Sequence, residues 1–162
     1  MASSLNRFLT AQQRDYDKAL SEIREGHKRS HWIWYIFPQI RGLGFSAKSE
    51  FYGIADMAEA KAYLENPTLR AHLIEISEAL VSLGTHDARQ VMGFPDDLKL
   101  RSSMTLFHLA DPSIDVFQKV LDQYFDGEMD QQTIDILGLK EAESSALEAK
   151  QEAEEAREEE TQ

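Results

Sequence analysis

Between Lys28 and Gln39 the chain reads Lys-Arg-Ser-His-Trp-Ile-Trp-Tyr-Ile-Phe-Pro-Gln, and Trp32, Trp34, Tyr35 and Phe37 fall within six residues. A helix through this run spreads the rings over more than one face. A core needs only one face, so a ring is left over for a ligand. Trp and Tyr can stack on a flat ring while their polar atoms hydrogen-bond. His27, Lys28, Arg29 and His31 precede the cluster, and Gln39 and Arg41 follow it. Aromatic faces flanked by cations suit a planar anionic ligand, a nucleotide or another phosphorylated metabolite. The competing reading makes the rings core and the bases an exposed helix terminus.

A second group lies between Asp96 and His108, where carboxylates, cations and hydroxyls crowd together. Lys99 and Ser103 are four residues apart and share a face if the segment is helical. A desolvated lysine can act as a base toward a serine nucleophile. Hydroxyls bonding back to a helix backbone explain the same residues without chemistry. His27 and His31 also share a helical spacing, but no third ligand accompanies them, so no metal and no other cofactor is expected. His31 alone is a candidate acid–base group, because an imidazole titrates near neutrality. Gly42-Leu-Gly44 lacks the Lys-Ser/Thr pair and preceding strand of a phosphate loop. The run from Asp122 to Thr133 imitates a calcium loop, but Tyr124 and Thr133 stand where oxygen ligands are required.

The elements that must position these residues follow from pattern and punctuation. The chain has 162 residues, 42% of them hydrophobic and 9% aromatic, enough for one ordinary domain with a real core. A first helix is expected from a cap at Ser4 to about Glu25, with Gly26 ending it. Ser30–Phe37 reads as a short buried helix stopped by Pro38, and residues 39–49 as a loop. Asp56 caps a helix to Glu65, and Thr68 caps the next, to Leu83. A short helix near Asp87–Met92 and a turn at Gly93-Phe94-Pro95 follow. Asp96–Leu109 reads as a helix with or without a break. Pro112-Ser113 initiates Ile114–Phe125, and Asp130 caps a last turn or two through Leu137. No run alternates cleanly enough for a strand, so an all-α domain, a multi-helix orthogonal bundle with short loops, is expected over residues 1–138.

Residues 139–162 differ in composition. They hold nine glutamates against Lys140, Lys150 and Arg157, which places −6 of the net −12 there. This acidic, Ala/Glu-rich tail is expected to be a solvated helical extension or disordered. The moderate acidity of the remainder argues against general nucleic-acid binding, which needs a basic face. There is no cysteine, which fits a reducing cytoplasm. No signal-peptide pattern and no apolar run of spanning length is present, so a cytoplasmic protein without membrane contact is expected. Oligomeric state is left open.

Several blocks together resemble a known family. Leu5-x-x-Phe8, Ala11-Gln12, Gly26-x-Lys28-x-Ser30-His31-Trp32-x-Trp34-x-Ile36-Phe37-Pro38-Gln39 and Gly42-Leu-Gly44 are similar to the domain-of-unknown-function family 1810. So are Tyr52-x-Ile54, Asn66-Pro67-x-Leu69 and Lys99-Leu-x-Ser102-Ser103-Met104-Thr105-Leu106-Phe107. The resemblance covers residues 4–138 and implies a compact helical domain, with no agreed substrate or catalytic residue. Its signature blocks are His31–Gln39 and Lys99–Phe107, the same segments that chemistry ranks first. They are expected to meet in one pocket. There, His31, Trp32 and Trp34 would orient or stack a small anionic ligand. Lys28, Arg41 and Lys99 would neutralise its charge, and Gln39, Ser102 and Ser103 would hydrogen-bond. His31, Lys99 and Ser103 are the candidate catalytic residues should the pocket support hydrolase or transferase chemistry. The alternative is a non-enzymatic interaction domain that docks a protein on its aromatic surface.

Overall fold

A helix that buries one stripe must repeat its apolar positions every three or four residues, and the first helix does so with Phe8, Ala11, Tyr16, Ala19, Leu20 and Ile23. A computed structural model describes residues 5–160. In it α1 spans Asn6–Arg24, and the cap expected at Ser4 lies outside the described residues. Gly26, at φ +80°, closes the helix from the left-handed region, and the N–H of His27 returns to the Glu22 carbonyl oxygen at 3.1 Å. Such a turn satisfies carbonyls that the helix end would otherwise strand.

Eight more helices follow among the described residues: α2 (Ile33–Ile36), α3 (Ala47–Tyr52), α4 (Met57–Glu65), α5 (Pro67–Ser82), α6 (Ala88–Met92), α7 (Asp96–Ala110), α8 (Asp115–Phe125) and α9 (Gln131–Glu160). The described residues contain no strand, and one isolated parallel bridge joins Ile40 to Ile54. The fold is all-α. α7 is its axis. Leu100, Met104, Leu106 and Phe107 are wholly buried, and α7 packs against α2, α4, α6, α8 and α9. A helix apolar on most of its faces belongs inside the molecule. α5 packs against α1, α4 and α8 and closes the other side of the core.

Four local expectations need correction. Helix forms only over Ile33–Ile36 in the aromatic segment, because the backbone N–H groups of Arg29 and Ser30 are held by the Glu22 side chain instead. Part of the expected loop at 39–49 is helical, since Ser46 accepts the Ser49 N–H and starts α3. Asn66, rather than Thr68, caps α5; its Oδ1 accepts the N–H groups of Thr68 and Leu69, both at 3.1 Å. Pro67 then fits the first turn, where no N–H is needed. The last helix runs past Leu137 to Glu160, so of the two expectations for the acidic tail the helical extension is the one found and only the break at Leu137 is corrected. Burial does stop there. Leu137 is buried, and beyond it every described side chain is exposed except the half-buried Lys140.

Candidate functional site

The geometry of the aromatic segment originates on α1. Glu22 lies on the buried face of that helix. Its carboxylate accepts the N–H groups of Arg29 (2.7 Å) and Ser30 (2.9 Å), the Ser30 hydroxyl (2.7 Å) and the Trp32 indole N–H (3.0 Å). Burial alone would push the Glu22 carboxyl up. The donors outweigh it and hold the group down at about 2. Trp32 is thereby drawn into the core at 1% exposure. It is closed to a ligand, and its expected stacking role is corrected to a core one.

Lys28 also points inward. Its side chain is 5% exposed and its ammonium sits 2.7 Å from an Asp96 carboxylate oxygen. It hydrogen-bonds the Ser30 carbonyl oxygen and faces the Trp32 ring at 4.9 Å. A buried ammonium requires such pairing, so this charge is committed within the fold rather than offered to a ligand. The ion pair nevertheless has a positional effect. It fastens the aromatic segment to the first turn of α7.

From that junction the two segments do meet. The Lys99 ammonium lies 4.1 Å from the centre of the Trp34 ring and 3.3 Å from Asp96 Oδ1. Trp34, Gln39, Leu43 and Gly44 form one wall of a cleft, and Leu98, Lys99, Arg101, Ser102 and Asp130 form the other. The space measures about 610 Å³ including its open mouth. The first wall continues into a smaller hollow reaching Tyr52 and Gly53. Gln39 Nε2 and Arg101 Nε make no hydrogen bond to any described residue.

The far wall is built on Asp130, a buried carboxylate that starts α9. It accepts from the Ser102 hydroxyl (3.0 Å), the Thr133 hydroxyl (2.6 Å) and the Thr133 N–H (3.2 Å). An Arg101 guanidinium nitrogen stands 3.8 Å away. The Asp130 N–H donates to Thr105 on α7 at 2.9 Å, so the wall is braced at several points.

Other candidates lie elsewhere. Ser103 is wholly buried and its hydroxyl has no partner among the described residues. Lys99 reaches the cleft, whereas Ser103, one turn further along α7, is sealed in the core, so the two do not face the cleft as a pair. His31 is exposed and is not part of the cleft lining. Arg41 lies in a different depression, against α1 and α3. Trp34, Gln39, Lys99 and Ser102 are therefore brought together, and Lys28, His31, Trp32, Arg41 and Ser103 are not. Sequence reasoning missed Glu22, Arg101 and Asp130. Two of them left a signal, Arg101 as a cation of the Asp96–His108 group and Asp130 as a helix cap three residues before Thr133.

A family model described as protein of unknown function, DUF1810, matches residues 2–137. The chain belongs to that family. The DUF1810 match contains both walls of the cleft and ends at Leu137, where burial along α9 also ends. The crystal structure of a conserved hypothetical protein, Rv1873, from Mycobacterium tuberculosis is similar at 40% identity and a TM-score of 0.81. That likeness covers 83% of this chain and 96% of the mycobacterial one. No curated protein matches.

Proposed function

We propose that the cleft between the aromatic segment and α7 binds a small anionic ligand, a nucleotide or another phosphorylated metabolite. The observation that supports it is the seating of Lys99 over Trp34 at 4.1 Å, in a cleft that Arg101 and Gln39 also line. An ammonium against an indole face loses little of its charge to the ring and remains able to meet an anion. Trp34 then acts by placing Lys99 rather than by stacking on the ligand, because its face is already covered. Arg101 adds a second cation, and Ser102 and Gln39 add polar contacts. The side chains support binding more directly than catalysis. The exposed His31 and the buried Ser103 stand outside the cleft, so of the three catalytic candidates only Lys99 lines it. A cytoplasmic location fits a chain without cysteine in which no described helix is long and apolar enough to cross a membrane.

The test is a thermal titration of the full chain with nucleotides and sugar phosphates. A ligand at a hundred times its dissociation constant stabilises by about 2.7 kcal/mol, which for a domain of this size is a shift of roughly 5 to 10 °C. Lys99→Ala and Arg101→Ala should each reduce the shift by the part that binding in the cleft contributes, and a shift unchanged in both variants would overturn the reading. A flat response to every compound sinks the reading.

A second reading has its own observation. Leu98 in the cleft wall is 43% exposed, and Phe45, Phe94 and Met129, each next in sequence to a lining residue, are exposed as well. Apolar side chains around an opening favour a macromolecular partner. Phe45→Ser with Phe94→Ser should then abolish capture of that partner and leave the nucleotide response untouched.

A further inference from the structure

The chain carries a net charge of −12, yet three arginines line one groove between α1 and α3, away from the cleft described above. Arg7 and Arg14 stand on the same face of α1 with Thr10 between them, and Arg41, Phe51 and Tyr52 form the opposite side. The groove measures about 950 Å³ including its open mouth.

Its charge is arranged by a single carbonyl. Arg7 Nη2 donates to the Gly53 oxygen at 3.0 Å, and Arg41 Nη2 donates to the same oxygen at 3.1 Å. The two guanidinium nitrogens are therefore no more than about 6 Å apart. Gly53 is needed for this approach. A Cβ there would lie 2.8 Å from Arg41 Cβ and 2.7 Å from the Ser49 carbonyl oxygen. Arg7 is 9% exposed and paired with Glu59 at 2.8 Å. Arg41 bonds only carbonyl oxygens, those of Glu50 and Gly53, and no carboxylate among the described residues lies within ion-pair distance of it. Arg41 thus stands without an acidic partner among the described residues beside a second cation, and an anion placed against it relieves their repulsion. Arg14, 63% exposed and paired with Asp15 on its own helix, stands at the edge of the groove. Beside Arg41 the ring of Phe51 is 57% exposed, although burial would be its natural state.

We propose that this groove is a second binding site, for a phosphate monoester that also carries a flat ring. Arg41 grips the phosphate in the fork geometry that guanidinium shares with phosphate oxygens. Arg7 supplies the adjoining charge, Arg14 closes over the outer oxygens, and the ring lies on Phe51.

The site is independent of the Lys99 cleft, and the test keeps the two apart. Calorimetric titration of the full-length Lys99→Ala chain with AMP, inorganic phosphate and adenosine, at low salt, reads the groove alone. AMP should bind more tightly than either fragment. Arg14→Ala and Arg41→Lys, each added to that chain, should weaken AMP by about tenfold, the loss expected of one charge-assisted hydrogen bond. Phe51→Ala should weaken AMP while leaving inorganic phosphate unchanged. Arg14 and Phe51 are exposed, so their variants remain informative if an Arg41 variant fails to fold. Absence of AMP binding to the Lys99→Ala chain overturns the proposal, as does AMP binding that ignores Arg14→Ala and Phe51→Ala. If the unmodified chain binds AMP and the Lys99→Ala chain does not, the groove is excluded and the cleft retained.

Discussion

At the scale of single residues, one carboxylate decides which of two tryptophans meets solvent. Glu22 binds the Trp32 indole and the loop before it, and Trp34 is left at the cleft. Position alone could not separate the two. They are the same residue type two places apart, and the deciding group lies ten residues upstream of Trp32 on another element. The acid behaviour of the protein follows from the same contacts. Glu22 has its folded pKa lowered from an ordinary 4.5 to about 2, so its stabilisation is complete above pH 4.5 and is lost as pH falls toward 2. Urea unfolding between pH 7 and pH 2 should show this loss. Glu22→Gln should lower stability by about 2 kcal/mol at pH 7 and flatten the acid limb. A steep acid limb in the variant would assign it to other carboxylates. Ser103 makes the opposite case. Its spacing from Lys99 advertised a nucleophile, but its hydroxyl is sealed in the core without a partner. Ser103→Ala should leave stability unchanged or raise it by about 1 kcal/mol, and should not alter ligand-dependent melting.

At the scale of elements, the sequence was most legible where one residue type serves one purpose. Asp56 and Asp87 cap α4 and α6 as their spacing implied, and Gly26 and Gly84 follow the ends of α1 and α5 at positive φ. Legibility failed where two residues compete for one role. Asn66 and Thr68 both favour helix caps, and the proline between them decides for Asn66, because Pro67 must occupy the first turn rather than precede it. Asn66→Ala should therefore cost about 1 kcal/mol, or roughly 2 to 4 °C in melting temperature, while Thr68→Ala should cost clearly less. Equal losses would return the cap to Thr68. The cleft was half legible for a related reason. Its two segments announced themselves by composition, but the residues that reach the opening depend on α7 being buried almost all round. That burial leaves Lys99 and Arg101 outward and turns Ser103 in.

At the scale of the whole molecule, the family match, the cleft and the packed core all end by Leu137, whereas α9 continues. A chain ending at Gly138 should keep the melting temperature of the full protein within about 2 °C, since the removed turns bury almost nothing; a larger fall would give them a structural role. The unpacked part of α9 also governs how the molecule moves through solvent. At 1.5 Å per residue, residues 139–160 reach about 33 Å from the core, longer than the diameter of many small domains. A body with such a spar suffers more drag than a sphere of equal mass, and its glutamates carry a broad counterion cloud. In gel filtration it should elute ahead of its 18.5 kDa, at a volume easily mistaken for that of a dimer. Light scattering, which weighs rather than sizes the particle, is therefore the measurement on which its stoichiometry should rest.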